Sequence, residues 1–123
     1  MRLLLALTLG LTAPSPSELR GFIDAGQLET YCQASAGEED GRLGLCLGYI
    51  AGSVDQLLVT PPLGVGGLCP PPNLTVEQVR LHFLAHLKAH PRQRETAAAL
   101  VVRQAASAAY RCEMSDLYRN NSR

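Results

Sequence analysis

Four cysteines, Cys32, Cys46, Cys69 and Cys112, constrain this chain of 123 residues more than any other feature. A chain this short builds one domain around one modest core. Four thiols in so small a protein point to cross-links made in an oxidising space, and four cysteines admit three pairings. Their intervals hold no two-residue zinc knuckle and no Cys–X–X–Cys redox motif. The N-terminus supplies the compartment. "MRLLLALTLGLTA" sets Arg2 before an apolar run and then small residues, the layout of a secretory signal and too short to span a bilayer. We place the end of the leader at Ser17, past Pro14 and Pro16. This divides the chain into a leader over 1–17, a domain over 18–112 and a polar tail over 113–123. The mature chain is expected to be exported, with its cysteines paired and no membrane insertion after signal removal.

The remainder reads as four helices and no clear strand. Asp24 is a good N-cap, Gln27 completes a capping box, and Phe22 with Leu28 suits a hydrophobic staple, so a first helix is expected over about 26–34. Residues 35–42, "SAGEEDGR", form a polar loop. The stretch "LGLCLGYIAGSVDQLL" carries the second helix, over about 42–59. At 100° per residue, Leu43, Cys46, Leu47, Ile50, Val54 and Leu57 share one stripe, while Gly48, Gly52 and Asp55 lie opposite. Glycines in a helix cost about 1 kcal/mol each, so a neighbouring backbone is expected to cover that side. "TPPLGVGGLCPPPN" cannot be helix and makes a stiff connector. Thr75 and Gln78 form a second capping box that opens a third helix, and Pro91 ends it at His90. A fourth helix is expected over about 95–110, with a narrow stripe of Ala98, Val101, Val102, Ala105 and Ala109.

Short and medium loops between four helices suggest an up-and-down bundle. That geometry sorts the cysteines. Cys32 ends the first helix and Cys46 begins the second, so both lie at one end. Cys69 precedes the third and Cys112 follows the fourth, so both lie at the other. The predicted pairs are therefore Cys32–Cys46 and Cys69–Cys112, in an all-α, small disulfide-stabilised four-helix bundle.

Charge and motifs narrow the function. With 11 basic and 11 acidic residues there is no field for nucleic acid. The charge is uneven: residues 18–60 hold seven acids against two arginines, and residues 77–123 hold eight basic residues against four acids. Such a dipole steers a charged partner or favours self-association. His82, His86 and His90 recur every four residues, but the outer two stand about 12 Å apart along a helix, and no carboxylate or thiol nearby completes a metal set. Glu38, Glu39 and Asp40 read as a solvated cluster. No Gly–X–Ser–X–Gly elbow and no phosphate-binding loop occurs. We find no catalytic, cofactor or metal constellation, and expect no enzyme. Asp55 has two readings: a carboxylate that pins a neighbouring helix end or loop, or one that faces a partner.

The order "FIDAGQLETYC", "CLGYIAGSVDQL", "LCPPPNLTVEQV", "FLAHLKAHP" and an alanine-rich helix closing on "AAYRC" resembles the Rap/Tai family. Those are small exported immunity proteins of Gram-negative bacteria, associated with amidase effectors of the type VI secretion system. The resemblance covers about 22–112. It implies a helical bundle, often dimeric, that binds a peptidoglycan-cleaving toxin in the periplasm and occludes its active-site cleft. The positions that match are structural: Cys32, Cys46, Gly48, Tyr49, Gly52, Asp55, Cys69, Gln78, Pro91 and Cys112. Toxin-contacting residues vary with the toxin, so none carries over. From the residues themselves, Leu63 and Val65 on the connector are the expected partner contacts. The rival reading is a general periplasmic interaction or chaperone-like protein with no toxin partner.

Overall fold

The computed structural model describes Gly10 and residues 21–37, 41–59 and 68–113. Four α-helices follow in chain order: α1 Ala25–Cys32, α2 Arg42–Val59, α3 Val76–Ala89 and α4 Ala98–Ala109. A 3₁₀ turn over Pro91–Glu95 lies between the last two. Each helix touches each of the other three. Among the described residues there is no strand, only two isolated bridges, Asp24 with Ala97 and Leu68 with Arg111. The small all-α bundle expected from the sequence is the one found. The leader apart from Gly10, the Glu38, Glu39 and Asp40 cluster, the Leu63 and Val65 contacts, and the tail beyond residue 113 lie outside the described residues.

Local chemistry sets the helix ends. The Asp24 carboxylate accepts from the Gln27 N–H at 2.8 Å, and the Gln27 side chain accepts from the Asp24 N–H at 3.1 Å. Thr75 and Gln78 repeat the arrangement at α3, at 3.2 and 2.9 Å. Each pair satisfies two backbone donors that a helix start leaves orphaned. The staple does not form as expected, because the Phe22 side chain is wholly exposed while Leu28 is wholly buried. Ile23, immediately before the cap, packs against the core instead. At the other end of α3, His90 leaves helical geometry, with φ −129° and ψ 65°, ahead of Pro91.

The expected start of the fourth helix needs correction. Pro91 opens the 3₁₀ turn, and Thr96 is extended before α4 begins at Ala98. The cause is tertiary. The Thr96 carbonyl accepts from the Ala25 N–H at 2.8 Å, and the Ile23 carbonyl accepts from the Ala98 N–H at 3.1 Å. This two-bond bridge ties the starts of α1 and α4 together and holds Thr96 and Ala97 out of the helix. Gly26 sits beside it. A Cβ there would lie 3.3 Å from the Arg94 carbonyl, so this glycine permits a close approach.

Side chains from all four helices fill one core. α1 gives Ala25, Leu28 and Cys32; α2 gives Cys46, Ile50 and Val54; α3 gives Val79, Phe83 and Leu87. From α4 come Ala98, Val101, Val102, Ala105 and Ala106, whereas Ala109, expected in this stripe, is exposed. Leu43, Leu47 and Leu57 on α2 are half-buried. The inner stripe of α3 has the four-residue spacing that keeps side chains on one face.

Two disulfides close the ends. Cys32 bonds Cys46 across 14 residues of sequence, and Cys69 bonds Cys112 across 43. Loop-closure entropy alone assigns them about 3 and about 4 kcal/mol. Polar ties supplement them. The Arg94 guanidinium donates to both Glu29 carboxylate oxygens, at 2.9 and 2.8 Å, joining the 3₁₀ turn to α1. Arg80 on α3 donates to the Cys32 carbonyl at the C-terminal end of α1, which has no basic residue of its own in its last turn. The same guanidinium is gripped by the Glu77 carboxylate.

Two predictions follow from burial and charge. Cys32 and Cys46 are fully buried, while Cys69 and Cys112 are half-buried. Under mild reductant and native conditions, Cys69–Cys112 should open first, read by differential alkylation and mass spectrometry. The hydrogen bond from Arg80 holds the Glu77 carboxyl below its ordinary value near 4.5. The unfolded chain therefore takes up that proton first, and the stability this pair contributes is present at neutral pH and lost as pH falls through the carboxylate range. Glu77→Gln should lower the melting temperature slightly at neutral and alkaline pH, and its profile should converge on that of the wild type at acid pH, where the pair contributes nothing.

Candidate functional site

The described surface offers three places where function could reside. The first is the histidine row of α3. His82 meets the Tyr110 ring edge-on, with centroids 5.2 Å apart. His86 stacks on His90 at 4.3 Å and places Nε2 2.8 Å from the Gln93 side-chain oxygen. His90 Nδ1 lies 2.9 Å from the His86 carbonyl and donates to it. Rings and amides here finish the helix end. Among the described residues no group of three or more His, Cys, Asp or Glu side chains comes together to hold a metal. Burial by its neighbours pushes the Tyr110 phenol above its ordinary range.

The second place is the outer face of α2. Gly48, Gly52 and Asp55 were expected under a neighbouring backbone. They are exposed, and a Cβ at Gly44, Gly48 or Gly52 would meet nothing within 4 Å. The expectation fails because the buried stripe of α2 satisfies all of its contacts within the chain. The opposite side is left to solvent, bordered by Leu45 and Val59, which are 59% and 71% exposed. Asp55 makes no hydrogen bond or ion pair with any described residue, so it does not pin a helix end. Tyr49 is half-buried and packs against the core. Gln78 closes the α3 capping box, and Pro91 opens the 3₁₀ turn that follows α3.

The third place was not foreseen. A groove of about 390 Å³ runs between the last turns of α2 and the segment that leads into α3. Ile50, Val54, Val76 and Val79 give it an apolar floor, Asp55 and Leu58 stand on one side, and Pro70, Pro71 and Pro72 on the other. No single run of sequence signals it, because its two walls come from opposite sides of the connector. Leu63 and Val65, the expected partner contacts, lie outside the described residues. The Arg94–Glu29 and Arg80–Cys32 ties also escaped sequence reading, since their members stand 65 and 48 residues apart.

A bundle of this size, cross-linked at both ends, is the setting in which the comparisons with known proteins take their meaning. A family model described as Rap1a immunity proteins matches residues 24–112, from the α1 cap to the last cysteine. The chain belongs to the Rap1a immunity protein family. No curated protein and no solved structure matches it. Membership makes it an immunity protein for a secreted effector. No helix among the described residues is long and apolar enough to cross a membrane.

The open face of α2 gives a sharp expectation. Glycine in an exposed helix interior costs about 1 kcal/mol against alanine. In dilute solution, where only monomer is present, Gly48→Ala and Gly52→Ala should each raise the unfolding free energy by up to about 1 kcal/mol in denaturant titration. A loss would mean that the face is occupied within the chain.

Proposed function

We propose that the chain is exported to the periplasm of a Gram-negative bacterium, where it neutralises a type VI secretion amidase by seating in its active-site cleft. Family membership carries this reading. Three further observations support it. The first 17 residues have the layout of a signal. Two disulfides suit an oxidising space. A cross-linked scaffold loses little conformational freedom on binding, which favours a stable plug over a reacting partner. The chain acts by steric exclusion and does no chemistry of its own.

The test uses the effector encoded beside the chain's own gene, sent to the periplasm of a sensitive host. Full-length chain should restore growth, and a version lacking residues 1–17 should not. In vitro, one equivalent of purified chain should abolish hydrolysis of peptidoglycan peptides and compete with substrate for the effector. Protection by the leaderless form would overturn the periplasmic part. A stable complex that still hydrolyses peptide would overturn occlusion.

The same reading includes a homodimer through the open face of α2. An exposed row of glycines bordered by Leu45 and Val59 lets two backbones approach closely. Sedimentation should show association that rises with concentration and is lost in Gly48→Leu, while the dilute variant remains folded. A wild-type chain that stays monomeric at high concentration would remove the dimer and leave the immunity role standing.

A further inference from the structure

The groove beside α2 has one chemical sign. Its floor is apolar, and no described residue that lines it is basic. Three consecutive prolines form one wall, and proline has no N–H to donate. The Pro71 carbonyl accepts from the Leu74 N–H at 3.2 Å, whereas the Pro70 and Pro72 carbonyls accept from no described residue. On the other side stands Asp55, exposed and unpaired among the described residues. α2 ends here with no basic residue in its last turn, so the negative end of its dipole is uncompensated. The start of α3 opposes this field only in part: the Val76 and Glu77 N–H groups are capped by no side chain, but the other two donors of the first turn are met. Thr75 and Gln78 cap each other, and Glu77 lies in the first turn. The groove is therefore an apolar slot with an acceptor rim.

We infer that this groove is the docking slot for a segment of the effector that presents an arginine or lysine beside an aliphatic side chain. The aliphatic group lies on Ile50, Val54 and Val76, and the cation reaches Asp55 and the carbonyl rim. The volume accommodates side chains of an extended segment and not a whole helix, so the slot gives specificity to a larger contact. The identity of the partner rests on the immunity reading; the chemistry of the slot does not.

Two measurements separate them. Isotope-labelled chain is titrated with two probe peptides, acetyl-Leu-Arg-amide and acetyl-Leu-Glu-amide, at millimolar concentration. The arginine peptide should shift amide signals of Ala51, Val54, Asp55, Leu74 and Val76, with an affinity about three- to fivefold above that of the glutamate peptide, the scale of one exposed ion pair. Asp55→Lys should invert the preference, and Ala51→Trp, which fills the slot, should abolish both responses. Shifts elsewhere, no shifts, or equal affinities would overturn the slot's chemistry whether or not an effector exists. In the growth assay, Ala51→Trp should lose protection with its melting temperature unchanged, and Leu81→Arg, on the exposed side of α3 and away from both the slot and the glycine face, should keep it. If folded Ala51→Trp protects fully, the slot is not the effector's seat, although the immunity role stands. If even wild-type chain protects against no effector, the immunity role falls, and the titration still decides the slot.

Discussion

An eight-residue helix does not persist alone in water, because too few hydrogen bonds follow a costly nucleus. α1 exists because it is held at every point. Its start is capped by its own Asp24 and Gln27 and bridged to the start of α4. Its middle is gripped by Arg94 through Glu29. Its last residue is covalently joined to α2 through Cys46, and that residue's carbonyl receives Arg80 from α3. Each of the other three helices thus reaches α1 by a contact that is directional and not merely apolar. Among the described residues fourteen buried hydrophobic side chains make the core; these ties set the register in which they meet.

What could be read from the sequence was whatever local spacing controls. Capping boxes need only two residues three apart, so both were legible. α2 was bounded at Arg42 and Val59 by a polar loop before it and a proline-rich run after it. The cysteine pairs followed once helices alternated in direction. What escaped was set by distant partners. The carbonyls and amides that hold Thr96 extended belong to Ile23 and Ala25, and no rule of propensity near residue 96 reveals them. Ala109 and Ala106 differ by less than one turn, and only the neighbouring helices decide which of the two is inside. The outer face of α2 failed for another reason. A periodicity argument identifies what is special about a face, but not whether its complement lies within the same chain.

For an immunity protein this division has sense. The features that must be invariant for folding are inward or at the ends: the core stripes, the caps and the sulfur bridges. The glycine row and Asp55 are turned outward and impose no packing demand on the interior, while the groove borrows only its floor, Ile50, Val54 and Val79, from the core. A surface of that kind can be fitted to a partner without reopening the question of how the chain folds.

α2 also has a mechanical character. Eighteen helical residues rising 1.5 Å each make a rod of about 27 Å. One end is welded to α1 by sulfur, and the other stops beside the groove. A push delivered at the far end travels through a continuous ladder of amide bonds to a covalent anchor. A partner that tried to pry the molecule open there would be working against a cantilever fixed at its root.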